Sequence, residues 1–347
     1  MKAVVIHGAR DLRIEDMAPA AQPGPGEVQV HVANGGICGS DLHYYLHGGF
    51  GAIRVREPMA LGHEVSGVVS DVGDGVEGLA VGDKVAVNPS RPCARCEYCL
   101  RGQPNQCLDM RFNGSAMRMP HEQGLFRETL TLPATLVERF APEADLAFAA
   151  MTEPLAVCLH AVRQAGSLLG KTVLVAGSGP IGCLTIAAAR LAGATRIVAT
   201  DISDTPLGVA RAMGAHETIN LAATPEGLAP FQRDKGQIDV SFECSGAPQA
   251  LGGLLTATRA GGTVVLVGMG GEAPLPLQLT VAKELTLRGA FRFHEEFATA
   301  ARVISEGRID LAPLLTGVHD TDDAVAAFDL AADKSRAMKV QIRFSGA

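Results

Sequence analysis

Leu174-Val175-Ala176-Gly177-Ser178-Gly179-Pro180-Ile181-Gly182 is the stretch that decides the fold of this chain. An apolar run of strand type over residues 172–176 leads into a GxGxxG spacing, and an apolar helical pattern over 181–191 follows it. Gly177 permits the tight turn, Gly179 leaves room for a pyrophosphate against backbone, and Gly182 lets helix and strand pack closely, with Pro180 and Ile181 between them. The unpaired N–H groups where the helix starts are then free to receive the pyrophosphate charge.

Asp201 ends the next strand pattern, 19 residues beyond Gly182. A carboxylate at that separation binds the ribose hydroxyls of an adenosine, and its charge repels an added 2′-phosphate. Ile202, Ser203, Asp204 and Thr205 supply no basic residue to reverse that preference, so NAD is expected rather than NADP.

Outward from this motif the pattern repeats. Residues 172–176, 196–200, 238–242 and 263–267 read as strands that are apolar throughout, as in strands covered on both faces, with helical stretches such as 181–191 and 249–258 between them. Alternation of this kind predicts a doubly wound parallel sheet of Rossmann type. Residues 1 to about 90 differ. Runs at 28–32, 65–69 and 84–87 are short, and Gly73, Gly75, Gly78 and Gly82 punctuate the interval between the last two. Such a pattern predicts a β-rich, barrel-like domain. Residues 91–125 carry little periodicity, and beyond 291 two helices, near 296–306 and 322–330, precede a strand at 337–344 that is expected to return to the first domain. The expected division is 1–150, 151–290 and 291–347.

A length of 347 residues suffices for two such domains. Thirty basic residues stand against 37 acidic ones, interspersed along the chain, which argues against nucleic acid as the main partner. No apolar segment approaches the roughly 18–20 residues needed to cross a bilayer. The apolar run within residues 1–7 is too short for the core of a secretory signal, so a cytoplasmic protein is expected.

Four of the eight cysteines, Cys93, Cys96, Cys99 and Cys107, crowd into the aperiodic segment with the spacing C-x2-C-x2-C-x7-C. Four thiolates complete a tetrahedral Zn²⁺ shell and leave no position for substrate, so this site reads as structural. An iron-sulfur cluster is the alternative, weakened by the compactness of the lobe.

A second group combines a thiol, a hydroxyl, imidazoles and carboxylates. Gly36-Ile37-Cys38-Gly39-Ser40-Asp41-Leu42-His43, Gly62-His63-Glu64 and Met151-Thr152-Glu153-Pro154-Leu155 are separate along the chain. Cys38, His63 and a glutamate make a reasonable mixed set for a catalytic zinc, which needs about three protein ligands and one open position. Spacing alone does not bring them together.

With these motifs the chain resembles the zinc-dependent medium-chain dehydrogenase/reductase family, from Lys2 to the final strand. The resemblance implies a GroES-like catalytic domain followed by the Rossmann domain, catalytic zinc on Cys38, His63 and Glu153 with Glu64 as a nearby or alternative ligand, and structural zinc on the four clustered cysteines. Ser40 and His43 fall on the family's proton-relay positions. Cys38-Gly39-Ser40-Asp41-Leu42-His43-Tyr44-Tyr45, Asp109-Met110-Arg111-Phe112 with Gly114-Ser115-Ala116-Met117, and Arg288-Gly289-Ala290-Phe291-Arg292-Phe293 resemble the polyol branch of that family. This implies a small aldonate or polyol substrate, with Arg292 and Arg111 as candidate partners for an aldonate carboxylate and Tyr44 and Phe112 as candidate pocket walls. A homotetramer is implied in the same way. Threonine oxidation is a rival within the family, and an NAD-binding redox sensor is a rival outside enzymes.

Overall fold

A computed structural model of the protein describes residues 1–272 and 274–344. Two compact units divide the chain. One comprises Met1–Glu153, Phe297–Arg308 and Leu315–Ala347, and the other Pro154–Glu296 and Ile309–Leu314. The expected boundaries at 150 and 290 therefore lie a few residues early, and residues 309–314 go with the second unit rather than with the returning segment. Residues 345–347 of that segment lie outside the described residues.

In the first unit, a seven-stranded sheet runs in the order Val137–Arg139, Lys84–Val87, Glu64–Val72, Glu27–Gly36, Lys339–Arg343 and Leu315–Asp320, with Thr129–Pro133 also paired to Glu27–Gly36. Period-two alternation explains the central strand. Val28, Val30 and Val32 point one way and are fully buried, packing with Val65, Val85, Phe126, Phe328 and Ile342. Burial of each such valine contributes on the order of 1.5 kcal/mol.

Two glycines make room where the site will form. Gly36 sits opposite Glu64 in the ladder, and a Cβ there would come within 2.2 Å of Glu64 Oε2. Gly62 has φ +89°, and a Cβ on it would lie 2.0 Å from the Phe126 ring. The last strand, Lys339–Arg343, pairs antiparallel to the same segment, Gln341 opposite Gly36 and Ile342 opposite Gly35.

The second unit carries a six-stranded parallel sheet in the order Glu217–Asn220, Arg196–Asp201, Thr172–Ala176, Ile238–Glu243, Thr258–Leu266 and Thr286–Gly289. Helix Pro180–Leu191 follows Thr172–Ala176 directly. A Cβ on Gly182 would lie 1.8 Å from the Gly177 carbonyl oxygen, so the third glycine of the motif does serve close packing of turn and helix.

Two features escape the sequence pattern. Strands Lys2–Gly8 and Asp11–Asp16 pair as a hairpin, and Gly39–His47 is a helix. This helix has poor intrinsic propensity, with a glycine, a serine and two tyrosines. A capping box starts it: Cys38 receives the backbone N–H of Asp41, while the Asp41 carboxylate accepts the Cys38 N–H at 3.0 Å.

Candidate active site

Ligating atoms of Cys38, His63 and Glu64 lie within 4.8 Å of one another. Cys38 stands just ahead of helix Gly39–His47, His63 in the turn released by Gly62, and Glu64 at the start of Glu64–Val72. His63 and Glu64 are 5% and 1% exposed, so a thiol, an imidazole and a carboxylate converge in the interior. That mixed soft and hard donor set fits Zn²⁺.

Asp41 organises the site from behind. Fully buried, it accepts the N–H of Cys38 and, at 3.2 Å, that of Gly62, and its carboxylate is 3.7 Å from His63 Nδ1. One side chain therefore fixes the two loops that present the ligands and backs the imidazole ring. Burial pushes Asp41 above the usual carboxylate range, opposed by His63 and by the two N–H donors. Burial also works against a charge on His63, yet Asp41, Cys38 and Glu153 together raise it well above the usual histidine value.

Lys339 is the feature the sequence reading missed. Its ammonium is 3% exposed and donates to Glu64 Oε1 at 2.8 Å, to Oε2 at 2.7 Å and to the Ile37 carbonyl at 3.2 Å. Burial disfavours that charge, but Glu64, with Cys38 and Glu153 beyond it, lifts Lys339 above the ordinary lysine range. Both Glu64 oxygens thus bond to an ammonium at the place where the carboxylate would meet a metal.

Glu153, in the first turn of helix Thr152–Ala165, is 6% exposed. It stands outside the 4.8 Å triad but close enough for its charge to raise His63 and Lys339. Ser40 Oγ lies 3.5 Å from His63 Nε2, on the face of the ring away from Asp41. His43, one turn along the same helix, is exposed, with His47 and Phe50 as ring neighbours. Burial, His47 and Lys334 hold its pKa below the usual histidine value.

The candidate substrate residues separate. The Phe112 ring is 5.6 Å from that of His63, beside the metal position. Tyr44, expected as a pocket wall, is instead packed in the core at 2% exposure, its hydroxyl accepting the Ala116 N–H at 3.1 Å. Arg111, expected to meet a substrate carboxylate, is committed to an internal one. Its Nη1 is 2.6 Å from Glu122 Oε1, and Arg91 takes the other oxygen of Glu122 at 2.6 Å. Arg292, in the second unit, adopts φ +55° with its guanidinium 4.9 Å from the centre of the Phe291 ring.

At the second cysteine group the ligating atoms of Cys93, Cys96, Cys99 and Cys107 also fall within 4.8 Å. Cys96 Sγ is 3.5 Å from Cys99 Sγ and 3.9 Å from Cys107 Sγ. Four sulfurs each about 2.3 Å from one tetrahedral ion stand about 3.8 Å apart, so the spacing suits Zn²⁺. Backbone N–H groups of Cys93 and Asp109 point at Cys107 Sγ, and that of Cys96 at Cys93 Sγ. The backbone N–H groups of Cys99 and Leu108 bring Cys96 down to about 6, while burial and the neighbouring Cys96 and Cys107 sulfurs push Cys99 up to about 12.

In the second unit the Asp201 carboxylate accepts the N–H groups of Ser178, Ile202 and Ser203, which fixes it against the Gly177–Gly182 turn. The N–H ends of helix Pro180–Leu191 lie beyond that turn. Among the described residues no helix is long and apolar enough to cross a membrane.

Residues 24–142 match the alcohol dehydrogenase GroES-like domain, and residues 180–306 match the zinc-binding dehydrogenase domain. L-idonate 5-dehydrogenase (NAD(P)(+)) of Escherichia coli is 43% identical over 318 residues, covering 91% of each chain. Sorbitol dehydrogenase of Gallus gallus is 37% identical over 331 residues, 94% of this chain and 92% of that protein. The crystal structure of the Escherichia coli L-idonate 5-dehydrogenase superposes with a TM-score of 0.94 at 40% identity, over 99% of this chain and 98% of that one.

Proposed function

The chain belongs to the zinc-dependent medium-chain dehydrogenase/reductase family, and on that premise we propose that it oxidises L-idonate at C5 to 5-keto-D-gluconate, reversibly, with NAD as hydride acceptor. The observation that carries this reading is the convergence of Cys38, His63 and Glu64 in a buried pocket with Ser40 beside the imidazole. The likeness to an L-idonate dehydrogenase over nine-tenths of the chain supports the choice of substrate.

Cys38, His63 and Glu153 would hold the catalytic zinc, with Glu64, paired to Lys339, as the alternative ligand. Zinc held there supplies Lewis acidity toward the substrate's hydroxyl oxygen. NAD, held by the Gly177, Gly179 and Gly182 turn with Asp201 on its adenosine ribose, supplies the acceptor for the C5 hydride. Ser40 Oγ receives the proton that leaves the hydroxyl. His43, whose pKa is held below the usual histidine value, would pass it onward to solvent. Phe112 walls the reacting centre, and Arg292 supplies the planar cation that distinguishes an aldonate from a neutral polyol. A second zinc on Cys93, Cys96, Cys99 and Cys107 fixes a lobe that has little apolar core of its own. A homotetramer in the cytoplasm belongs to the same reading and rests on the family likeness.

An NAD-reduction screen with L-idonate, sorbitol, xylitol and L-threonine, on protein of known zinc content, tests the assignment. L-idonate should give the highest kcat/KM. A higher value for sorbitol or xylitol would make this a polyol dehydrogenase, one for L-threonine would move it to threonine oxidation, and NAD binding without reduction by any of the four would make it a sensor.

A further inference from the structure

Within the second unit, the chain builds Thr172–Ala176, steps outward to Arg196–Asp201 and Glu217–Asn220, then crosses back to Ile238–Glu243 on the other side. The reversal lies between the carboxyl ends of Thr172–Ala176 and Ile238–Glu243, the crevice where a dinucleotide binds in an open parallel sheet. Asp201 fixes the adenosine half on one side of that point. The nicotinamide half must therefore extend to the other, over the loops that follow Ile238–Glu243 and Thr258–Leu266.

A buried carboxylate ties those loops together. Glu243 is 6% exposed, and its Oε1 accepts the Ser245 N–H at 2.9 Å, the Gly246 N–H at 3.1 Å and the Ser245 hydroxyl, while Oε2 shares the Gly246 N–H at 3.1 Å. The Glu243 carbonyl accepts the N–H groups of Val267 and Gly268. Around it the backbones touch. A Cβ on Gly177 would lie 2.6 Å from Ser245 N, one on Gly268 2.3 Å from Gly246 N and 2.7 Å from Glu243 Oε2, and one on Gly270 1.8 Å from the Gly246 carbonyl oxygen. These donors are all neutral, so the carboxylate serves here to gather N–H and O–H groups rather than to balance a cation. Removing such an acceptor leaves buried donors unpaired and frees the turn.

We propose that Glu243 is a positioning residue for the nicotinamide half of the cofactor, holding residues 244–246 against Gly177 and against Gly268 and Gly270 so that this end of the groove is formed before the ligand arrives. The inference rests on the NAD reading above.

Calorimetry on the zinc-loaded full chain separates the two halves of the ligand, with ADP reporting the adenosine side and NAD reporting both. E243Q turns an acceptor into an N–H₂ group facing the Gly246 N–H. ADP affinity should stay within about twofold of wild type, while NAD affinity falls at least tenfold and the KM for NAD rises with it. If E243Q does not fold, S245A, which removes only the hydroxyl arm, decides, with an expected loss of about threefold for NAD and none for ADP. Equal losses for both ligands, or no loss for either, would overturn the positioning role. Wild-type protein that binds neither ligand would remove the NAD reading itself.

Discussion

The Lys339 ammonium bonds to both carboxylate oxygens of Glu64, at 2.8 and 2.7 Å, with the pair almost fully buried beside Cys38 and His63. A carboxylate held at both oxygens is a weak competitor for a metal. If zinc is held on Cys38 and His63, this pair bears on which of Glu64 and Glu153 completes the protein ligands.

K339M should therefore change the metal as well as the fold. Loss of one partner from a buried ion pair costs about 3–5 kcal/mol, so urea unfolding should show a large loss, partly regained in K339M/E64Q. In cobalt-substituted protein the visible d–d bands of the catalytic site should shift in K339M, where Glu64 is released to ligate, and revert in K339M/E64Q. Unchanged bands in K339M would mean that the lysine does not govern ligation.

Ser40→Ala should lower kcat by about 10²- to 10⁴-fold, the usual worth of a positioned proton acceptor, while NAD affinity stays near wild type. Stopped-flow measurement of NADH formation at saturating substrate across pH checks this. A wild-type rate would take Ser40 out of the proton path.

Arg292→Ala should cut kcat/KM for L-idonate by about 10- to 100-fold, matching roughly 1.5–3 kcal/mol for a charge-assisted hydrogen bond, and leave sorbitol oxidation within about threefold. Equal losses on both substrates would show that the guanidinium does not read the carboxylate. Arg111→Ala should have little selective effect, because Glu122 already occupies that side chain.

Cys99→Ser should release one zinc per chain and lower Tm by roughly 5–10 °C, as expected for loss of a few kcal/mol from a domain of this size. Zinc analysis after gel filtration should find the other equivalent retained. Retention of both equivalents would show that the four-thiolate site does not need Cys99.

Acid sensitivity should centre on Glu296. It meets His160 Nδ1 at 3.1 Å and the His294 N–H at 2.8 Å. Burial works against its charge, but these partners bring its pKa down to about 2, from an ordinary value of 4.5. Since the folded pKa is the lower one, the carboxylate stabilises the fold fully above about pH 4.5, and that contribution, on the order of 3 kcal/mol, fades as pH falls toward 2. Urea midpoints between pH 6 and 3 should fall less steeply in E296Q. Parallel slopes would contradict the linkage.

What was legible in the sequence was what is local. Gly177, Gly179 and Gly182 act within one turn and Asp201 at the end of the next strand, so their spacing carries their role. Four cysteines within 15 residues, 93–107, need only a short loop to meet. By contrast, the partner of Glu64 lies 275 residues away in Lys339–Arg343, and a lysine in a short alternating strand looks like a solvent-facing position until the strand is seen inside a sheet. Asp41 stood in full view within the Cys38 to His43 motif, and its place three residues after Cys38 was the available signal for a capping box. Tyr44 and Arg111 misled for a related reason. Residue type suggested a pocket wall and an anion receptor, while tertiary packing gave one to the core and the other to Glu122.

Chelated and washed full-length protein, refilled with zinc in measured steps, offers the most direct test of the catalytic claim. NADH formation from L-idonate should be near zero while only the four-cysteine site is filled and should rise in proportion to the second equivalent, with His63→Ala failing to respond. Full turnover before that second equivalent binds would contradict the account.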